Sequence, residues 1–328
     1  MMTASKQKGV ALVLVLLIFA FVTILATEMG TRLQLQVQRA INIKDNNQAY
    51  WYAIGAEEFA RKSIGVLMDE TSDKIHLDQP WSQEFVYPVE GGGISATLTD
   101  MRACFNLNAL AQGSEDELQR QSVTPTMEAF HRMLSETGLE IDSFVIDTVR
   151  DSLADWMDSD DRMRSYGAED SEYESREYPY LAANGLMAAQ SEIRMINGVD
   201  PAWLEAILPL ICVLPDDDSL QINVNTLTEE QGALLAGLTG LSQGDATSLI
   251  ASRPSNGWDD AADFLAEPDI AALSLASPQA DWFTVTTEYF MLTTKTRYNK
   301  ATFTMSTVFE VSENGAVGVV RREFAGVK

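Results

Sequence analysis

Carboxylates are the chemically capable group that this 328-residue sequence concentrates most heavily. Between Asp142 and Glu177 there are 12 acidic residues and 4 arginines. Crowded carboxylates repel one another unless water solvates them or a cation neutralises them. Asp158, Asp160 and Glu169 fall at the first, third and twelfth places of an EF-hand loop. Arg162 and Met163 stand at the fifth and sixth, where an oxygen ligand and a glycine belong, so the segment is not an EF-hand. Two readings stay open. One is a solvated acidic loop. The other is a looser cradle for a hard cation, entered through Asp155-Trp156 on a helix end and closed by Gly167-Ala-Glu-Asp170.

Little else in the sequence is equipped for chemistry. The two histidines, His76 and His131, leave little imidazole for acid–base work or a histidine-rich metal site. Two cysteines, Cys104 and Cys212, cannot build a zinc site alone but can make one disulfide. No His-Glu-x-x-His or phosphate-binding glycine loop occurs, and neither histidine sits beside a plausible nucleophile. Paired acids are compatible with a glycosidase, so a membrane-anchored acidic hydrolase of the periplasm is the rival reading. From Gln221 to Leu265 runs a helix-hairpin-helix-like (SAM-like) passage containing Leu238-Thr-Gly-Leu-Ser242, Ala246, Ile250 and Arg253, with a weaker echo at Ile196-Asn-Gly-Val-Asp200. Nucleic-acid-binding versions offer the backbone N–H groups of a Gly-hydrophobe-Gly turn to phosphate. Here Ser242 replaces the second glycine and Asp245 follows. The chain has 48 acidic against 23 basic residues, a net charge of −25. A surface that acidic repels phosphate backbones, so these segments read as packed hairpins for protein contact, with no nucleic acid as partner.

The elements that must carry these residues are legible from patterning. With 46% hydrophobic residues and 22% charged, the chain can fill one elaborate core or two ordinary ones. Val10 to Thr27 is a run of 18 residues without charge, roughly 27 Å as a helix and close to the hydrocarbon thickness of a bilayer. The short leader before it, with Lys6 and Lys8, predicts a cytoplasmic start. Three readings compete: a cleaved secretory signal, a signal anchor, and a cut after Gly9 that leaves the apolar helix on the mature chain. No proline occurs before Pro80, and Leu33, Val37, Ile41, Tyr52, Ala56, Phe59, Ser63 and Leu67 keep mostly to helical spacing. One helix from Val10 to about Leu67 would be roughly 85 Å long, its second part laying that stripe on a globular domain. Phe85-Val-Tyr-Pro-Val89 and Ile94-Ser-Ala-Thr-Leu-Thr99 read as strands around a Gly91-Gly92-Gly93 turn. Helical periodicity then returns from Ser114 to Gln279, and Phe283 to Phe324 reads as strand again, with Asn314-Gly315 suited to a hairpin turn. The fold class is α+β: a long amino-terminal helix packed on an antiparallel sheet, with an all-α domain inserted between strands.

A basic leader ending in glycine, an apolar helix starting at once, and an amphipathic continuation into a domain resemble the type IV pilin and type II secretion pseudopilin class. Most of that class carry glutamate at the fifth mature position, which pairs with a neighbour's amino terminus during assembly; here it is Leu14. That departure, the chain length, and the blocks Cys104-Phe-Asn-Leu-Asn108, Asp155-Trp-Met-Asp-Ser-Asp160, Gly167-Ala-Glu-Asp170 and Ile222-Asn-Val-Asn-Thr226 resemble the K-type minor pseudopilin family. The resemblance implies a pilin-like fold divided into a leader (1–9), the helix (10–67, with 10–27 spanning the membrane), a first sheet part (68–113), the insert (114–280) and carboxy-terminal strands (281–328). It implies cleavage after Gly9 by a prepilin peptidase and methylation of Val10. One or two calcium ions would sit in the insert, with Asp158, Asp160, Asp161, Glu169 and Asp170 as candidate ligands. The partners it implies are the I- and J-type minor pseudopilins at the pseudopilus tip and other pseudopilins. The chain would be single-pass in the inner membrane with its domain in the periplasm. In that compartment Cys104 and Cys212 would be oxidised, tying sheet to insert for roughly 4 to 5 kcal/mol in the loop-entropy view; two buried thiols are the alternative. The bulky insert and Leu14 both suit a first position in a filament and not an interior one.

Overall fold

The computed structural model describes residues 8–71, 73–112 and 122–324. Helix α1 runs unbroken from Lys8 to Thr71, about 95 Å. Its amino-terminal part is apolar enough to cross a bilayer, with a mean hydropathy of 3.0 over 18 residues and none of that window buried. From Asp45 onward the helix packs. Ala49, Ala53, Ala56, Ala60 and Ile64 are the buried apolar positions, at helical spacing along one face. The stripe expected from the sequence is therefore corrected: Leu33, Val37, Ile41, Phe59 and Ser63 are exposed, and only Ala56 of the eight is fully buried. Alanine wins because it lets the helix backbone come close to the sheet. Thr296 Oγ1 donates directly to the Ala49 carbonyl at 2.8 Å.

The chain leaves α1 for two strands, β1 (Phe85–Val89) and β2 (Gly92–Asp100). It then enters the insert, which carries four two-residue strands: β3 (Phe105–Asn106), β4 (Ile211–Cys212), β5 (Ile222–Asn223) and β6 (Phe283–Thr284). It returns as β7 (Tyr289–Tyr298), β8 (Ala301–Val311) and β9 (Val317–Phe324). The main sheet has five antiparallel strands in the order β1-β2-β7-β8-β9. Ala96 and Leu98 on β2 stand opposite Thr294 and Leu292 on β7, and with Phe290 and Phe309 they form the layer beneath α1. On the opposite pleat Tyr289 and Val308 pack against Met101, Cys212 and Leu214 of the insert. Helix and insert thus cover opposite faces of one sheet.

The insert has its own core, reaching from Ala103 and Phe105 to Phe283 and Val285. Its main helices are α2 (Pro125–Ser135), α3 (Ser143–Met157), α4 (Asp170–Glu174), α5 (Pro201–Ile207), α6 (Gly232–Thr239) and α7 (Gln243–Ala251). Two boundaries differ from the sequence reading. The first sheet part ends at Asp100 and not at 113, because Ala103, Phe105, Leu107 and Leu110 belong to the insert core. The sheet resumes at Tyr289 and not at 281, because Phe283–Thr284 pairs in parallel with Ile222–Asn223 inside the insert. A short extended segment has the same local pattern whichever partner it finds. Nor is the insert all-α, given these short strands. The expected boundary at 114 and leader residues 1–7 lie outside the described residues.

One ion pair fastens the last strand to α1. Glu57 is 1% exposed, and its carboxylate takes a bidentate pair from Arg322 on β9, at 2.7 and 2.8 Å, and a third bond from Thr307 Oγ1 at 2.9 Å. Burial alone would push Glu57 up, but the hydrogen bonds from Arg322 and Thr307 outweigh it and hold the carboxyl below its usual value. A lowered folded pKa contributes stability above the unfolded value and loses it as pH falls through the folded one. Arg322→Ala leaves a buried carboxylate short of donors and should destabilise the chain by about 1–3 kcal/mol. Urea unfolding at pH 7 should show this loss, and the gap to wild type should narrow towards pH 3.

Candidate functional site

Two blocks rich in asparagine build the joint between sheet and insert. Asp100, the last residue of β2, is buried and accepts from the Arg102 N–H (2.7 Å), Asn223 Nδ2 (2.9 Å) and Thr226 Oγ1 (2.7 Å). Burial pushes its carboxyl up despite these donors. Asn106 accepts from the Leu214 N–H at 3.1 Å and donates to the Asp217 carbonyl at 2.8 Å. Asn108 both accepts from the Met187 N–H (2.8 Å) and donates to the Met187 and Leu214 carbonyls (3.1 and 3.0 Å). Asn225 does the same for Trp258, donating to its carbonyl at 3.0 Å and accepting from its N–H at 2.8 Å. A side-chain amide offers one acceptor and two donors, so it satisfies buried loop backbone as a neighbouring strand would. Beside this joint Cys104 and Cys212 are disulfide-bonded, with Cα atoms 5.7 Å apart. The pairing read from the sequence is the one present.

The acidic segment is organised around the end of α3. Asp155 is fully buried; its Oδ2 accepts from the Arg164 N–H at 3.0 Å, while Oδ1 makes no hydrogen bond but has the Arg164 guanidinium as an ion-pair partner at 3.3 Å. Glu169, 3% exposed at the start of α4, has no hydrogen-bond partner for either carboxylate oxygen. Burial pushes both groups up to about 7, and each is raised further by the Asp158 carboxylate and other nearby acids. Burial raises Asp158 as well. Gly167 is required here because a Cβ would stand 1.8 Å from Asp155 Oδ2. Trp156, Tyr173 and Tyr180 wall the segment, with ring centroids 5.1 to 6.2 Å apart.

The structure sorts the five ligand candidates. Asp158 and Glu169 are neighbours of the buried Asp155. Asp170 faces the other way, accepting from the Ala182 N–H at 2.9 Å. Asp160 is engaged at the surface by Arg162, at 2.7 Å, and Asp161 is exposed. Asp155 was missing from the candidate set, although the sequence placed it on the helix end; its burial is the property that promotes it. Among the described residues no three acidic, histidine or cysteine side chains close on a common point at metal-binding distance.

The helical hairpin uses its anion-binding geometry internally. Gly240, with φ +87°, ends α6, and Ser242 caps α7 by accepting from the Asp245 N–H at 3.2 Å. The Gln243 N–H, which would point at a phosphate, donates to Glu136 Oε2 at 3.0 Å. Arg253 turns inward to the Leu227 and Val224 carbonyls, at 2.7 and 3.2 Å. At the other end of the molecule Gly9 and Val10 lie exposed in the first turns of α1, with Leu14 on the same unburied stretch.

Comparison with known proteins covers most of the chain. Residues 103–216 and 222–286 match two family models, both described as type II secretion system (T2SS), protein K. Type II secretion system protein K of Klebsiella pneumoniae is 34% identical over 322 residues, covering 97% of each chain. The protein of that name from Aeromonas hydrophila is 36% identical over 271 residues, 79% of this chain and 80% of its own. Among solved structures, a chain in the crystal structure of the GspK–GspI–GspJ complex from enterotoxigenic Escherichia coli superposes with a TM-score of 0.76. It is 30% identical, and the match covers 86% of this chain and 97% of that one.

The buried acids give stability a definite sign with pH. Folded Asp155 and Glu169 keep protons up to about pH 7 that the unfolded chain releases near pH 4. Between those values the folded state binds more protons, so stability falls as pH rises and levels off above about 7. In the presence of chelator, the melting point of the detergent-solubilised protein should drop by several degrees from pH 5 to pH 8. The double substitution Asp155→Asn with Glu169→Gln should flatten that profile; an unchanged slope would place its origin elsewhere.

Proposed function

This chain belongs to the type II secretion system protein K family, and from that premise we propose how it works as a minor pseudopilin. It is made as an inner-membrane precursor, cut after Gly9 by a prepilin peptidase and methylated on Val10, with the domain beyond Thr27 in the periplasm. With the I- and J-type minor pseudopilins it caps the pseudopilus tip and supports secretion of folded proteins across the outer membrane. The observation that carries this reading is the pairing of an unburied apolar helix with a bulky insert on the far face of the sheet. A subunit within a filament needs open space for the next one above it; this insert takes such space. Leu14 also lacks the carboxylate that would pair with a neighbour's amino terminus. The role is structural, and no reaction is assigned to it. Mass spectrometry of the mature amino terminus tests the reading: the expected product begins with methylated Val10. An intact Met1, or a cut beyond Thr27, would overturn it.

For the insert's acidic segment we propose a hard divalent cation, calcium, whose binding would have to draw together carboxylates that do not yet converge on one point. Both carboxylate oxygens of the buried Glu169 lack hydrogen-bond partners, and Asp155 Oδ1 has only the Arg164 guanidinium, 3.3 Å away, so the buried negative charge is incompletely matched. Asp155, Asp158 and Glu169 would hold the ion, with Asp160, Asp161 and Asp170 at the rim. An all-oxygen set without thiolate or imidazole favours calcium over zinc. The ion supplies charge neutralisation and ties the segment to the end of α3. A ligand that binds only the folded state stabilises it by about 2.7 kcal/mol at one hundred times Kd. Calcium should therefore raise the melting point and chelator lower it, and Asp158→Asn with Glu169→Gln should remove most of the difference. Equal wild-type midpoints with and without calcium would return the segment to a solvated acidic loop.

A further inference from the structure

Arg164 sits inside the carboxylate cluster at the end of α3, its side chain 5% exposed. Its Nε lies 3.3 Å from Asp155 Oδ1 without making a hydrogen bond, and one terminal nitrogen stands 4.0 Å from Asp158 Oδ2. The other terminal nitrogen reaches the Ser122 carbonyl at 3.5 Å. Elsewhere the chain pairs its buried charges closely. Arg322 meets Glu57 at 2.7 and 2.8 Å, and Arg150 meets Asp151 at 2.9 and 2.7 Å. Among the described residues the Arg164 guanidinium engages no carboxylate oxygen at hydrogen-bonding geometry, so it forgoes most of what a charge-assisted pair contributes. Glu169, 3% exposed, receives no hydrogen bond at all. One loosely held guanidinium is thus within 4.0 Å of two of the three carboxylates that would bind a metal.

We propose that Arg164 is a built-in competitor for the calcium site: its guanidinium stands in for part of the ion's charge in the calcium-free protein and weakens calcium binding. The proposal rests on the calcium reading and deepens it by naming the residue that sets the affinity. A positive charge held beside the ligands raises the free energy of an arriving cation. The apparent affinity is then the intrinsic one reduced by the fraction of molecules whose guanidinium has withdrawn. Calcium modules outside the cytoplasm work at roughly 10⁻⁴ to 10⁻³ M, and ligand charge count is one of the levers that puts them there. Three carboxylates offset by one guanidinium belong in that range. A site so tuned stays unfilled until the domain has crossed the membrane, and the ordering of the acidic segment follows translocation. The turn that carries Arg164 does not depend on its side chain. The Arg164 N–H donates to Asp155 Oδ2 at 3.0 Å, and its carbonyl accepts from the Gly167 N–H at 3.2 Å. Substitution therefore removes the charge and leaves the turn.

The test measures calcium binding by the detergent-solubilised full-length chain, using equilibrium dialysis against radioactive calcium, together with melting points in calcium and in chelator. Arg164→Gln should tighten binding by about tenfold or more, lower the melting point in chelator and widen the rise that calcium produces. Arg164→Lys keeps a charge and should bind within about threefold of wild type. An arginine with a merely structural role would give a different pattern: Arg164→Gln would lose stability with calcium as well as without it and would bind no tighter. Saturating calcium replaces the missing charge, so Arg164→Gln should fold when purified in it. A variant that stays unfolded there overturns the proposal, and so does a Kd equal to or weaker than that of wild type. Equally tight binding by Arg164→Lys would show that charge is not the cause and would overturn it too. The calcium reading is judged separately, on the unsubstituted chain: if that chain takes up no calcium, the reading itself falls and Arg164 has nothing to compete with.

Discussion

The buried carboxylate of Asp100 is the point on which the architecture turns. The chain leaves the sheet after β2 and re-enters it on the adjacent strand β7, so the two ends of a large insert must meet at one place. Asp100 stands opposite Phe290 in that ladder, and it collects donors from the exit (Arg102) and from the insert's interior (Asn223, Thr226). Arg102 closes the same gap from the other side, reaching Glu288 at the re-entry point over 2.9 Å. The Cys104–Cys212 bond and the β3–β4 pairing lie next to this knot. The two modules are therefore joined by buried polar groups whose partners come from both, a contact that is costly to break one side at a time.

Within the insert the same device is repeated on a smaller scale. Helices as short as those here bury little surface each, and the loops between them must find backbone partners. Asn106, Asn108 and Asn225 provide them. The acidic segment departs from this economy of satisfied groups: Glu169 is buried with neither carboxylate oxygen hydrogen-bonded, and Asp155 Oδ1 has only the Arg164 guanidinium for company. The contrast with the hairpin at Gly240 is instructive. There the first helix-start amide, that of Gln243, already donates to a carboxylate of the same chain, Glu136, and that of Asp245 to the Ser242 hydroxyl.

Helix α1 serves two environments along one axis. Leucine, valine and phenylalanine on all sides suit lipid; alanines on one side suit a sheet approached closely enough for threonine to reach the helix carbonyls. Glu57 and Asp45 would be out of place on a buried face but for specific answers from Arg322 and Asn299. Those answers set the rotation of the helix and leave the larger apolar side chains on its outer surface.

Local pattern was enough for much of this protein. The long apolar helix and the strand–insert–strand order follow from composition and periodicity, because each is encoded within a short window; two cysteines admit one pairing, though whether it forms was left open by the sequence. The face of α1 that packs was misread. Periodicity detects apolar stripes, α1 has two, and the small residues that permit close approach look weaker on a hydrophobicity scale than the exposed aromatics. Domain edges shifted because Phe283–Thr284 is extended in either module and only its partner decides which. Asp155 was placed at the helix end beside the cradle but outside the ligand set until burial separated it from Asp160 and Asp161. The sequence by itself determined which elements exist and in what order. Which face turns inward, which carboxylate loses its water and which strand pairs with which were decided by tertiary structure, since each depends on residues far apart in the chain arriving at the same place.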